Sequence, residues 1–292
     1  MILTLLLLSA LNIVQAADRH ILYVPHSGGI ADLAARVLAK VEGNTVVINY
    51  PATIGSRAVP LSFERKQPLF AGSSYMVLND ILYPDYDHFD IENNFESIIL
   101  GSVPNVVTVH PSVPARNISE FTAWSKTTTD LKYGITTTAT KVSAIEFLKL
   151  TGIGARDIPY KAGEQLLAGL LGNEIQLRVG SLTTVIGSIQ AQRLKAIAIT
   201  TQKRHPDFPD IPTVLEQTGT NLTAVLYYGI NFPRGMPDSE IRYWKKIIDG
   251  LDKNSRYIQE ISKLGADIHI IQGKKYHEWR RQQRKIHVEF SK

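Results

Sequence analysis

The chain has 292 residues, enough for two domains of ordinary size. It contains no cysteine, which excludes disulfides, thiolate metal sites and cysteine nucleophiles. Net charge is a mild +5 and 44% of the residues are apolar, the profile of a globular chain with a large core rather than a nucleic-acid binder.

In chain order, residues 1–16 read as a secretory leader. Leucines stand at Leu3 and Leu5 to Leu8, and Val14-Gln15-Ala16 supplies the small-residue ending that a signal peptidase needs. The run is too short to span a bilayer, which takes roughly 20 apolar residues. A strand at 21–24 follows, then the turn Pro25-His26-Ser27-Gly28-Gly29-Ile30-Ala31-Asp32, then a helix over 33–38. Strand, glycine turn and helix N-terminus make an anion-binding corner, because free backbone N–H groups point out of it. Ser27, Gly28, Gly29, Ile30 and Ala31 are the candidate donors. Asp32 stands beside them, to accept from a ligand amine or to cap the helix, and His26 is a further possible donor.

Strands are predicted at 46–48, 68–72, 98–101 and 106–109, with a polar turn at Ser73-Ser74. The Asn117-x-x-Glu120 spacing starts a helix that runs through Trp124. A strand at 131–135 opens into Thr136-Thr137-Thr138-Ala139-Thr140-Lys141, and a helix follows over 142–150. A further helix ends at Gly172-Asn173, and a strand at 175–179 leads into Gly180-Ser181. A helix at 185–192 and strands at 196–200 and 227–232 come next, and the remainder is helical apart from a strand at 267–270. The basic run 274–285 reads as the solvated face of a terminal helix. Strand and helix alternate almost throughout, so the predicted class is α/β with largely parallel sheets.

Several ordered segments resemble the substrate-binding receptors of tripartite tricarboxylate transporters, the TctC or Bug family. They include residues 24–32, Ser102-Val103-Pro104-Asn105, His110-Pro111, Pro159-Tyr160-Lys161-Ala162-Gly163, Leu170-Leu171-Gly172-Asn173 and Phe208-Pro209-Asp210-Ile211-Pro212. Their order and spacing hold across nearly the whole chain after the leader. The resemblance implies a two-lobed periplasmic-binding-protein fold (type II-like) with two crossover strands. Lobe 1 would take 17–103 and 227–292, and lobe 2 would take 104–226. It implies a monomeric periplasmic receptor that captures a small organic carboxylate between the lobes and delivers it to a two-component membrane permease. No catalytic residue, metal, cofactor or nucleic-acid partner is implied. The ligand would be held mainly by backbone amides of loops from both lobes. The candidates are residues 27–32 as above, Ser73, Ser74, Thr136, Thr137, Thr138, Ala139, Thr140, Lys141, Gly180 and Ser181; Tyr160 and Tyr228 are either wall residues or, as tyrosines near strand ends more often are, packing residues.

The chain departs from the family pattern in three places. Threonines replace the usual Gly/Ser-rich second-lobe loop, with Lys141 near the expected histidine. The loop at 53–56 is shorter, and no acidic residue stands near Gly180. The rival readings are an exported hydrolase, for which no Gly-x-Ser-x-Gly elbow or His-Glu-x-x-His motif is present, and a sensor or repurposed binding scaffold not engaged in transport.

Overall fold

The computed structural model describes residues 19–50, 57–79, 90–222 and 224–291. The leader and the loop at 53–56 lie outside the described residues. The chain opens with β1 (His20–Val24), followed by α1 (Ile30–Glu42), which starts three residues earlier than predicted. Ile30, Ala34, Ala35 and Leu38 recur at helical spacing and bury one face of α1. The helix stops at Gly43, whose positive φ of 97° lets its N–H donate back to the Ala39 carbonyl. Then come β2 (Thr45–Asn49), α2 (Ala58–Arg65), β3 (Leu69–Gly72), a π-helical turn (Ser74–Leu78), α3 (Ile91–Asn94) and β4 (Phe95–Val109). The middle of the chain forms α4 (Ile118–Ser125), β5 (Lys132–Ile135), α5 (Thr138–Thr151), β6 (Arg156–Pro159), α6 (Gly163–Leu171), β7 (Leu177–Ser181), α7 (Ile186–Gln190), β8 (Lys195–Ile199) and α8 (Val214–Thr218). It closes with β9 (Val225–Pro233), α9 (Asp238–Ile248), α10 (Ser255–Ser262), β10 (Asp267–Ile271) and α11 (Lys274–Ser291).

One ten-stranded sheet runs through the molecule in the order β2-β1-β3-β9-β4-β7-β5-β6, with β8 and β10 also paired to β4. β4 divides it into two halves. Its residues up to Pro104 pair antiparallel with β9, and β10 pairs with its 99–102 stretch. From Asn105 onward its partners are β7 and β8. β1 is parallel to β2 and β3 in the first half, and β5 is parallel to β6 and β7 in the second. Each half carries its own helices, so the fold is two-lobed α/β, as the resemblance implies; the sheet is mixed rather than largely parallel, because β4 and β9 run antiparallel to every strand they pair with.

At the junction Asn105 is fully buried and tied down. Its side-chain amide donates to Ser143 Oγ at 2.7 Å, and the Thr200 N–H donates to its carbonyl at 3.0 Å. The sequence predicted two strands here, because Pro104 reads as a break. A proline lacks only the N–H, and this one sits where the pairing changes from one half-sheet to the other, so the backbone continues through it as one strand.

Other elements also shift. The Ser73-Ser74 turn is the entry to the π-helical turn instead, because Ser73 Oγ accepts from the Tyr227 N–H at 2.8 Å and fixes that chain against β9. β7 begins two residues later than predicted and carries Gly180 and Ser181 within it. The terminal helix α11 has a solvated basic face, but it also buries Tyr276, Trp279 and Arg280. Arg280 Nε donates to the Met76 carbonyl at 3.0 Å, and its guanidinium pairs with Glu92. Trp279 meets Tyr227 edge-on at 4.8 Å. This helix therefore packs over the π-helical turn and the start of α5, touching both lobes.

Candidate functional site

Between the lobes lies a cavity of about 830 Å³, counting its open mouth. Its first-lobe wall is the loop from His26 to Asp32. The N-cap of α1 is Gly29, which is extended, and no side chain caps the helix. Leu33 makes the first helical bond, to the Gly29 carbonyl. The Ile30 and Ala31 amides therefore have no partner within the helix, and both residues line the cavity. With the partial positive charge of the helix end behind them, they suit an anion.

Asp32 lines the cavity but is fully engaged. Its Oδ2 accepts from the Gly28 N–H at 2.9 Å, and its Oδ1 accepts from Asn49 Nδ2 at 2.9 Å and pairs with Arg36 Nε at 3.1 Å. The same Asn49 amide also donates to the His26 carbonyl at 2.8 Å. Asp32 thus braces the loop from below, with each of its oxygens already partnered within the protein. Gly28 is not part of the wall. Its φ of 72° is what requires glycine; a Cβ there would also lie 2.0 Å from Glu164 Oε1, the flexible end of a side chain on α6 that would have to move aside. His26 hydrogen-bonds Tyr75 Oη through Nε2 at 3.1 Å, and burial pulls its pKa down to about 4, so it lines the site as a neutral imidazole.

The second-lobe wall behaves differently. Thr137 caps α5, accepting from the Thr140 N–H, and Thr140 Oγ1 accepts from both the Thr136 and Thr137 N–H groups at 3.1 and 3.0 Å. This reciprocal box is why α5 begins at Thr138 rather than at the predicted residue 142. Thr136, Thr137, Ala139 and Thr140 line the cavity, as do Ser73 and Ser74 from the opposite side. The Ala139 N–H donates across the cleft to Ser74 Oγ at 3.1 Å, and Thr138 Oγ1 donates to Asn79 at 2.6 Å, so Thr138 faces the lobe contact instead of the cavity. Lys141 lies outside the cavity, 3.8 Å from Asp157.

Ser181 lines the cavity, and Gly180 lies outside it. A Cβ on Gly180 would lie 3.0 Å from Arg178 Nη2, so the glycine leaves room for that guanidinium. Arg178 is the residue that sequence reasoning missed. It is only 5% exposed and lines the cavity, and burial lowers its pKa to about 10. Its Nη2 donates to the Ser181 carbonyl at 3.2 Å and to Thr184 Oγ1, while Nη1 is buried without a partner. The only signal in the sequence was an arginine inside a predicted strand, between Leu177 and Val179. Tyr227, not Tyr228, reaches the cavity. Tyr228 is fully buried, with its hydroxyl on the Asp267 carbonyl at 3.3 Å.

Among the described residues, no cluster of His, Asp and Glu could hold a metal ion, and no helix is long and apolar enough to cross a membrane. Two α/β lobes on a shared sheet with a cavity between them define the periplasmic-binding-protein fold, and solved structures agree. The periplasmic binding protein BugD superposes with a TM-score of 0.81 at 22% identity, covering 93% of this chain and 95% of that one. A Rhodopseudomonas palustris protein solved with malate, MatC, superposes with a TM-score of 0.80 at 16% identity, covering 94% and 99%. The R. palustris protein Rpa4515, solved with adipate, superposes with a TM-score of 0.80 at 20% identity, covering 94% and 97%.

Residues 30–286 match the tripartite tricarboxylate transporter family receptors (TctC), and the chain belongs to that family of solute-binding receptors. Protein BugT of Bordetella pertussis is 23% identical over 252 residues, 82% of this chain and 77% of the relative. A protein encoded in the tcbD-tcbE intergenic region of Pseudomonas sp. strain P51 is 22% identical over 251 residues, 82% of this chain and 74% of the relative.

Proposed function

We propose that this protein is an extracytoplasmic receptor that captures a small organic carboxylate between its lobes and delivers it to a tripartite tricarboxylate-type permease. The observation that carries the reading is the uncapped α1 N-terminus, whose Ile30 and Ala31 line an inter-lobe cavity together with Arg178, a buried guanidinium with no acid partner among the described residues. Such a cavity favours an anion and needs no cofactor to hold it. The carboxylates bound by MatC and Rpa4515, malate and adipate, support the ligand class. Family membership supports the permease partner and the periplasmic location, and the leader at residues 1–16 fits export.

The lobes would comprise 17–103 with 227–292, and 104–226. The change in strand pairing between Pro104 and Asn105, and the start of β9 at Val225, support those limits. Closure of the lobes on the ligand would present a new surface to the permease.

A thermal-shift screen against di- and tricarboxylates, aromatic acids and acidic amino acids tests the reading. A ligand at a hundred times its dissociation constant adds about 2.7 kcal/mol of stability, which raises the melting temperature by several degrees. A cooperatively melting protein that no carboxylate shifts would overturn it.

A further inference from the structure

Resting on the receptor reading, we infer that Leu226 limits the length of the ligand. It stands between the main cavity and a second, smaller one, which takes the hydrocarbon tail of a longer acid when the leucine is cut back. The second cavity measures about 370 Å³ with its open mouth. It lies beside Val225, which pairs with Pro104 where β4 passes from one half-sheet to the other. Val77, Val142 and Trp279 line it with apolar surface, and Gln283 and His287 line it from α11 as well. The π-helical turn, α5, β9 and α11 therefore enclose it together.

The two cavities have three lining residues in common: Ser73, Ala139 and Leu226. Two of these are fixed parts of the wall. The Ser73 hydroxyl accepts from the Tyr227 N–H at 2.8 Å. Ala139 carries nothing beyond its Cβ, and its N–H is held on Ser74 Oγ at 3.1 Å. Leu226 alone brings a side chain with rotamers to choose between. It packs against two separate apolar clusters, one with Ile30 and Leu166 of the main cavity, the other with Val77, Val142 and Trp279 of the second. Its isobutyl group is the partition. The strand that carries it also runs close to the α1 N-terminus, since a Cβ on Gly72 would lie 3.3 Å from the Tyr227 carbonyl and 3.9 Å from the Ala31 Cβ. An acid seated on the α1 amides has the partition nearby, so the leucine decides whether its chain can enter the space behind.

Calorimetric titration of the full chain with straight-chain acids, from acetate to decanoate and from malonate to sebacate, tests the partition. Wild type is expected to show a chain length of best fit, with affinity falling beyond it. Leu226→Ala should move that optimum longer by about two carbons, each further buried methylene adding about fourfold in affinity. An acid two carbons past the wild-type optimum should then bind the variant about 15-fold more tightly than it binds wild type. Leu166→Ala is the control, because Leu166 lines the main cavity and not the second one. Equal lengthening in both alanine variants, or none in Leu226→Ala, overturns the partition while the receptor reading stands. Trp279 supplies a readout besides affinity, since it lines the second cavity and not the main one. In Leu226→Ala the longer acid, and not a short one, should shift tryptophan emission, and adding Trp279→Phe should remove the shift. Emission that the longer acid leaves unmoved overturns entry of the tail. Binding of no acid at all overturns both the receptor reading and the partition. If Leu226→Ala fails to melt cooperatively, Leu226→Val is measured in its place, and an unchanged optimum there counts against the partition.

Discussion

The two loops that face each other across the cleft share one plan: a strand, a short turn and a helix N-terminus. Their donors end in opposite states. In the first lobe the α1 cap is glycine, so Ile30 and Ala31 keep amides that no side chain claims. In the second, Thr137 and Thr140 satisfy each other's backbone and that of Thr136, and Ser74 takes the Ala139 amide. One helix end keeps uncapped amides on the cavity wall, the ones that take the ligand in the proposed reading, while the other is closed by its own hydroxyls. The difference lies in the cap residue, since helix geometry leaves the same orphan amides at both ends. The second lobe's buried cation, Arg178 on β7, stands on the cavity wall apart from this loop. The predictions below set the two loops against each other.

The largest effect is expected at His26, in the first loop. Burial holds its imidazole at about 4, below the 6.5 of a free histidine, so between those values the unfolded chain takes up a proton that the folded chain refuses. Its contribution is therefore complete above about pH 6.5. Stability is lost as pH falls toward 4, at up to about 1.4 kcal/mol per unit. Urea unfolding at about pH 7 and about pH 5 measures this slope. His26→Gln should flatten it. His269, also lowered by burial, leaves a residual slope of the same sign. An unchanged slope in the variant would mean that His26 is solvated enough to titrate freely.

Gly28 and Gly29 separate strain from mere flexibility. A Cβ at Gly28 meets both a left-handed φ and the Glu164 carboxylate, whereas at Gly29 nothing lies within 4 Å. Gly28→Ala should cost about 1–2 kcal/mol from backbone strain alone, and more when the lobes are closed. Gly29→Ala should stay within about 0.5 kcal/mol. Thermal melts of the two variants give the comparison. Pairing Gly28→Ala with Glu164→Ala should recover the part due to the contact. Equal melts for the two alanine variants would contradict this loop conformation.

Much of the fold was legible because its signals are local. Asn117-x-x-Glu120 caps its helix as the spacing predicts, with Glu120 N–H donating to Asn117 at 2.8 Å, and α6 stops at Gly172. Strands were misjudged where pairing decides, as in β4, whose continuity through Pro104 depends on partners far away in sequence. The first-loop residues were legible as cavity-lining because glycine before a helix is a local signature. Arg178 was not, because its burial and its missing acid are properties of the assembled sheet. Asp32 was legible only as two alternatives. In the folded chain it does not cap α1 but braces the loop through the Gly28 N–H, Asn49 and Arg36, and of these only Asn49 is brought to it by the fold.

Removing the second-lobe cap is the next test. Thr137→Ala takes away the acceptor for the Thr140 amide and should cost about 1 kcal/mol, as a lost N-cap does. Thr140→Val keeps the bulk but leaves the Thr136 and Thr137 amides without their acceptor. If those amides are what distinguishes the two loops, Thr140→Val should lower stability by a similar amount and strengthen carboxylate binding relative to that loss. Calorimetry beside thermal melts separates the two effects. A fall in affinity that merely tracks the fall in stability would show that the amides do not reach the ligand.

The smallest effect belongs to Lys141, which the sequence placed among the ligand contacts. Its ammonium lies 3.8 Å from Asp157, and both partners are partly exposed. Such a pair contributes about 0–1 kcal/mol, and salt screens it further. Lys141→Ala should therefore change carboxylate affinity by less than about twofold. The variant matters because lysine and arginine offer the second lobe two ways of being cationic, one outside the cavity and balanced by an acid, the other inside it and unbalanced. If charge anywhere on the lobe were enough to hold the ligand, Lys141→Ala and Arg178→Gln would weaken binding comparably, and both losses would shrink together as salt rises. If the anion must touch the guanidinium, only the second variant loses affinity, with a weak dependence on salt, because a buried contact is poorly screened. Titrating both variants at low and high ionic strength decides between the two.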